Sequence, residues 1–144
     1  MNYPHSPFTQ RRSEALCTGA LLDITATAVA TCMGMPSAVS PALWRGVADD
    51  DPCRAGDPRV MCLCWFVFLF VTSNAYEREE RGPHHRIVWF EATVLGRRVA
   101  IKAIAHRDEH FEPVMTLLCA DEPDPFSKWP RHRCLRPTLF SPLI

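Results

Sequence analysis

The sequence predicts one α+β domain, in which an N-terminal helix packs on a small antiparallel β-sheet that contains a hairpin at residues 86–105. At 144 residues the chain has the usual size of a domain with one core. Its hydrophobic content of 47% is typical of folded proteins. Apolar residues recur at helical spacing early in the chain and alternate between 86 and 105. Residues 1–12 are expected to form an irregular arm, 13–122 the domain, and 123–144 a proline-rich tail.

Charge and cysteine content narrow the classes of function. Sixteen basic residues balance sixteen acidic ones, so no global field attracts nucleic acid or anionic membrane, and any such attraction must be local. Seven cysteines without regular spacing predict reduced thiols rather than a disulfide framework. We therefore expect an intracellular protein of the cytoplasm or nucleus. The apolar run at 60–71 is too short to span a bilayer, so no membrane span is expected.

Two helices are predicted in the first third of the chain. Ser13 can cap the first helix, with Glu14 at its positive end. Its apolar face comprises Leu16, Ala20, Leu21, Ile24, Ala28 and Cys32. Gly34 and Pro36 are expected to end it. A second helix follows from Ser40-Pro41, a cap residue and a favoured first position, and carries Leu43, Trp44 and Val47.

The second half of the chain is expected to supply the sheet. Residues 60–71 are rich in β-branched and aromatic side chains and do not alternate, which favours a strand buried on both faces. The charged residues 77–81 are predicted to form a solvated connection. Residues 114–119 fit either a further strand or a short helix that begins at Pro113, and the sequence leaves both open.

The hairpin follows from a predicted two-residue turn at Gly96-Arg97, with glycine first as a type II′ turn prefers. Val94 would then lie opposite Val99, and Glu91 opposite Lys102 as a cross-strand ion pair. The face predicted to enter the core comprises Val88, Phe90, Ala92, Val94, Val99, Ile101, Ala103 and Ala105.

A structural zinc ion is the one cofactor that the sequence suggests, and otherwise none is expected. The candidate donors are His106, His110, Cys119, His132 and Cys134, which include enough nitrogen and sulfur for tetrahedral coordination but match no standard zinc finger. His106 to His110 also fits the H-x-x-E-H pattern of certain zinc peptidases. Because Pro113 leaves little room for a helix there, a charged solvated loop is favoured instead.

The tail combines apolar, basic and proline residues. Its candidate interaction residues are Phe126, Trp129, Arg131, Arg133, Arg136 and Phe140. The apolar side chains either dock back on the domain, over an edge or outer face of the sheet, or are presented to a partner as an extended segment. The sequence favours the second option, because no secondary structure is expected to cross residue 123. The basic side chains could also contact phosphates, so nucleic acid is a second kind of partner that the tail could bind.

No phosphate loop, catalytic triad or dinucleotide motif occurs in a convincing context, so no enzyme class is predicted. The sequence favours a small non-enzymatic regulatory or protein-interaction protein that acts through an exposed surface or its tail. The alternative is a structural-zinc or nucleic-acid-binding module that uses the five donors and the basic tail.

Overall fold

The computed structural model describes residues 11–31, 33–73, 78–82 and 84–123, which form four helices and six strands. The helices are α1 (Arg12–Thr18), α2 (Thr25–Ala30), α3 (Pro41–Ala48) and α4 (Pro58–Thr72). The strands are β1 (Leu22–Asp23), β2 (Ser37–Val39), β3 (Arg78–Gly82), β4 (His85–Val94), β5 (Arg97–Arg107) and β6 (Pro113–Cys119). The α+β class and the hairpin are therefore confirmed.

The described strands form one mixed sheet with the order β1-β2-β6-β5-β4-β3. β2 and β6 run parallel, whereas the other neighbours are antiparallel. Helices α2, α3 and α4 contribute to the main core, which packs on one face of the sheet. We call this the helical face, and it carries Val88, Phe90, Ile101, Ala103 and Leu117. The opposite, or second, face carries Ile87, Trp89, Ile104 and Leu118.

The hairpin has the predicted faces but not the predicted register. Its turn is Leu95-Gly96, so Val94 pairs with Arg97 rather than with Val99. Both turn residues have positive φ, 47° at Leu95 and 90° at Gly96, as a type I′ turn requires. The register therefore differs from the predicted one by two residues. Because side chains alternate with period two, every apolar residue keeps its face.

The corrected register changes the predicted ion pair. Glu91 lies opposite Ala100 and forms its salt bridge with Arg98, at 2.7 Å. Lys102 lies opposite Trp89 instead, and its Nζ donates to the carbonyl oxygen of Glu122 at 2.9 Å. The predicted Glu91–Lys102 pair is therefore wrong.

Residues 60–71 belong to helix α4 and not to a buried strand. Asp57 accepts a hydrogen bond from the Arg59 N–H at 2.9 Å, and Pro58 occupies the first turn. The buried side chains Val60, Leu63, Cys64 and Val67 have helical spacing. Apolarity on nearly every position hides this period from the sequence, because no polar face marks it.

The N-terminal segment contains two short helices where one long helix was predicted. Gly19 has φ 87° and ends α1, since the left-handed conformation cannot continue the helix. Leu22 and Asp23 then pair with β2. Asp23 accepts hydrogen bonds from the Thr25 N–H at 3.0 Å and hydroxyl at 2.6 Å, at the start of α2. Local turn chemistry thus overrides the helical spacing of the apolar residues.

Helix α3 forms as predicted. The Ser40 hydroxyl oxygen accepts from the Leu43 N–H at 3.1 Å and donates to Glu122 Oε1 at 2.6 Å. The same carboxylate oxygen accepts from the Cys119 N–H at 2.7 Å. Glu122 therefore joins the start of α3 to the end of β6.

The two remaining segments are both strands. Of the alternatives left open for residues 114–119, the strand is the correct one, as β6. Residues 78–81, predicted as part of a connection, lie in the edge strand β3. Charged residues on an edge strand discourage pairing with other chains.

None of the helices in the described ranges is long and apolar enough to cross a membrane.

The core assignment predicts unequal effects at adjacent positions of β4. Phe90 is buried and stacks on Phe70 with ring centroids 4.5 Å apart. We expect Phe90→Ala to lower the free energy of unfolding by about 3–5 kcal/mol, because it leaves a cavity. Glu91→Ala on the exposed side should cost less than about 1 kcal/mol. Urea denaturation measures both, and equal losses would contradict the face assignment.

The turn predicts a stabilising substitution. Leu95 is 60% exposed and has φ 47°, a conformation that is unfavourable for leucine. Asparagine tolerates it, so Leu95→Asn should raise the free energy of unfolding by roughly 0.5–1 kcal/mol. Leu95→Val is the control and should be destabilising, since β-branched residues avoid positive φ. A fall in the urea midpoint of Leu95→Asn would argue against the type I′ turn.

Candidate functional site

The described zinc donors do not converge. His106 lies near the end of β5, whereas Cys119 lies at the far end of β6. His106 pairs with Val114, so Cys119 is five residues along the strand, roughly 17 Å away. Cys119 also packs against the main core, on the helical face, whereas His106 lies on the second face. These two residues therefore cannot share one ion.

The other donors do not complete a site among described residues. The His110 side chain is 76% exposed and lies 3.9 Å from Glu109 Oε2. In the described ranges, no group of three or more His, Cys, Asp or Glu residues is placed to hold a metal ion. His132 and Cys134 lie outside these ranges, so zinc coordination that involves them stays a prediction.

His106 has internal hydrogen-bond partners for both ring nitrogens. Nδ1 lies 3.0 Å from the carbonyl oxygen of Arg107, to which it must donate, and Nε2 lies 2.7 Å from the Thr116 hydroxyl. The neutral ring therefore accepts from Thr116. Burial lowers the pKa of His106 to about 4, and the positive charge of Arg12 acts in the same direction. This histidine is a neutral structural group at physiological pH.

Residues 106–110 do not form the helix that a zinc peptidase needs. β5 continues to Arg107, and the Asp108 carboxylate then accepts from the N–H groups of His110 and Glu112 in a turn. Glu109, the would-be catalytic base, instead accepts from the N–H groups of Arg12 and Ser13 at the start of α1. The favoured solvated loop is partly wrong as well, because His106 is buried within β5.

A cleft of about 210 Å³ opens at the end of the hairpin that lies away from the turn. Histidines 84, 85 and 106 and arginines 86 and 107 contribute to its lining. Arg86 pairs with Glu80 at 2.8 Å, and Arg107 donates to the carbonyl of Phe111 at 3.2 Å. Both arginines of the cleft thus have partners within the protein. The side chains that line the cleft do not indicate a particular reaction.

The exposed side of α4 is the most distinctive surface of the described chain. Met61, Trp65 and Leu69 recur every four residues and are 40%, 44% and 56% exposed. The half-buried Phe68 contacts Trp65 edge to face, with centroids 6.1 Å apart. No charged residue occurs from Val60 to Thr72. We call Met61, Trp65, Phe68 and Leu69 the α4 stripe.

Sequence reasoning missed the α4 stripe because it assigned this segment to a strand. The signal was present in Asp57-Pro58, a cap residue followed by proline, as in Ser40-Pro41. From that start, helical periodicity puts the stripe opposite the buried residues of α4. Contiguous exposed apolar side chains are uncommon on monomeric proteins and mark binding surfaces.

Among the described cysteines, Cys64 and Cys119 are unsuited to act as nucleophiles. Cys17, Cys53, Cys62, Cys64 and Cys119 are free thiols. Burial raises the pKa of Cys64 to about 11, and burial with neighbouring acidic groups does the same for Cys119. Such thiols are poor nucleophiles because little thiolate forms at neutral pH.

The predicted interaction residues of the tail, Phe126, Trp129, Arg131, Arg133, Arg136 and Phe140, all lie outside the described residues. Comparisons with protein-family models, curated proteins and solved structures found no match to this chain.

Buried His106 predicts a pH dependence of stability. Its folded pKa of about 4 lies below the ordinary value of 6.5, so the unfolded chain binds more protons between these values. The His106 contribution is therefore complete above about pH 6.5 and falls as the pH drops towards 4, by up to roughly 3 kcal/mol. His106→Gln should flatten the profile in this window. Parallel urea titrations that give identical profiles for both proteins would contradict the assignment.

Proposed function

We propose that this chain is a non-enzymatic protein-interaction protein with a regulatory role, and that its binding surface is the α4 stripe. The observation that carries the proposal is the exposure of Met61, Trp65 and Leu69 on a helix whose opposite side packs on the core. A stable monomer gains nothing from large apolar side chains in water, whereas a binding partner removes them from it.

The chemistry of the stripe favours a protein over other partners. Nucleic acid requires cationic side chains, and α4 has none between Val60 and Thr72. Tryptophan and methionine are enriched in the cores of protein interfaces, where charged residues are depleted. The partner surface is therefore expected to be an uncharged helix face or a shallow apolar groove.

Two further parts of the function proposal depend wholly or partly on residues outside the described ranges. The tail was predicted to capture a partner, and the alternative module would use its basic residues with the zinc donors. The lack of convergence between His106 and Cys119 gives the metal-dependent alternative no support within the described chain. The α4 stripe is therefore the preferred site.

The stripe should tolerate charge without loss of fold. Leu69→Glu places a charge where the side chain is already 56% exposed, so the free energy of unfolding should change by less than about 1 kcal/mol. Leu63→Glu, on the buried side of the same helix, is the matched control and should prevent folding, because it buries an unpaired charge. Circular dichroism with thermal melting distinguishes them. Equal destabilisation would show that the stripe belongs to the core.

Binding can be tested by photo-crosslinking in cells. We expect p-benzoylphenylalanine at position 65 to give a protein adduct that is lost when Leu69→Glu is added. The same probe in place of Phe111, which is 59% exposed but far from α4 in sequence, serves as the control. A homodimer adduct would identify a second copy as the partner, and a heterologous adduct another protein. Adducts from position 65 that do not exceed those from position 111 would overturn the proposal.

A further inference from the structure

The apolar centre of the second face is buried, although no described helix covers it. Ile87 and Ile104 are fully buried, and Leu118 is 3% exposed. Their cluster, with Trp89 packed against it, consists of strand residues alone in the described part of the chain. Helix α1 belongs to a separate cluster with Leu21 and Ala38.

The two faces of the sheet differ in whether described helices cover their buried side chains. On the helical face, residues from α2, α3 and α4 account for the burial of the strand side chains. On the second face, a single sheet layer cannot remove its own isoleucines from water, because side chains stand perpendicular to it. Another layer must lie over Ile87, Ile104 and Leu118.

The described chain ends at this face. After β6, the Glu122 N–H bonds to the carbonyl of Cys119 in a turn. The Glu122 carbonyl then accepts from Nζ of Lys102, a second-face residue that lies opposite Trp89. The chain is thus at the second face one residue before Pro123, where the described part stops.

We propose that the second face is the docking surface for this chain's own residues 124–144. Twenty-one residues remain after Pro123 (144 − 123), and an extended chain of that length reaches about 70 Å. The sheet, with six strands, is only about 25–30 Å wide. Residues 124–144 are therefore long enough to cross the second face.

The composition of this segment suits the surface. Its large apolar residues are Phe126, Trp129, Leu135, Leu139, Phe140, Leu143 and Ile144. Prolines at 125, 130, 137 and 142 keep a segment from adding to the sheet as a paired strand, but not from lying across a face. The N-terminal arm at 1–10 has fewer large apolar residues. It also leads into α1 beside Glu109, at the end of the second face away from Glu122.

Limited proteolysis of the full chain tests this proposal. Trypsin can cut after Lys128, Arg131 and Arg133, and docking should slow these cuts at least tenfold relative to a synthetic peptide of residues 124–144. Trp89→Asp, within the second face, should restore most of the peptide rate. Thr93→Asp, on the same strand and face but exposed near the turn, is the matched control and should leave the protection intact. Cleavage of the unmodified chain at the peptide rate would overturn the proposal.

A second measurement covers the case in which Trp89→Asp unfolds, which would show as faster cleavage after Arg59 in helix α4. In the otherwise unmodified chain, p-benzoylphenylalanine in place of Phe126 should crosslink within the same molecule to peptides that contain Ile87 or Ile104. The same probe in place of Phe111 should not. Crosslinks from position 126 only to a second copy or another protein would overturn the proposal, as would crosslinks from the arm at residue 8 to this face.

Discussion

Strand β5 is the element on which both sides of the structure depend. It pairs with β4 along one edge and β6 along the other, and successive side chains enter different clusters. Ile101 and Ala103 lie in the main core, whereas Lys102 and Ile104 lie on the second face, and all four are at most 3% exposed. A shift of one residue would place the Lys102 ammonium in the main core without an acceptor, at a large cost. The pairing of β5 is therefore strongly constrained.

Helix α4 is apolar both on the side that packs on the core and on the side that is partly exposed, whereas most surface helices are polar on the outer side. One side packs on β4, where the Phe70 and Phe90 rings stack with planes 12° apart. The other side is almost equally apolar and partly exposed. A helix that is hydrophobic all round is usually enclosed on every side, and α4 is enclosed on one side only. Its uncharged outer side is thus a property of the fold that calls for a functional explanation.

The sequence predicted an element correctly where polar and apolar residues alternate or are clearly separated within the segment. Ser40-Pro41 and the alternation of β4 were predicted correctly because polar residues mark where each pattern begins or changes face. In α4 there is no such contrast, so composition suggested a strand and the Asp57-Pro58 start signal was overlooked. The hairpin turn was misplaced because leucine rarely adopts the positive φ that Leu95 has. For the site, the sequence identified residue types that can bind zinc. It could not show that His106 and Cys119 lie on different faces and far apart, because this required the correct strand assignment.

Parallel pairing of β2 with β6 has a consequence for how the chain matures during synthesis. Ser37 pairs with Met115, a separation of 78 residues (115 − 37), whereas the β4–β5 hairpin closes within about twenty. During translation, the edge of β2 that pairs with β6 therefore stays unpaired until nearly the whole domain has left the ribosome. The loop that must then close is long, and such non-local contacts slow folding. The nascent N-terminal third is consequently the part of the described chain whose strand edge stays unpaired longest during synthesis.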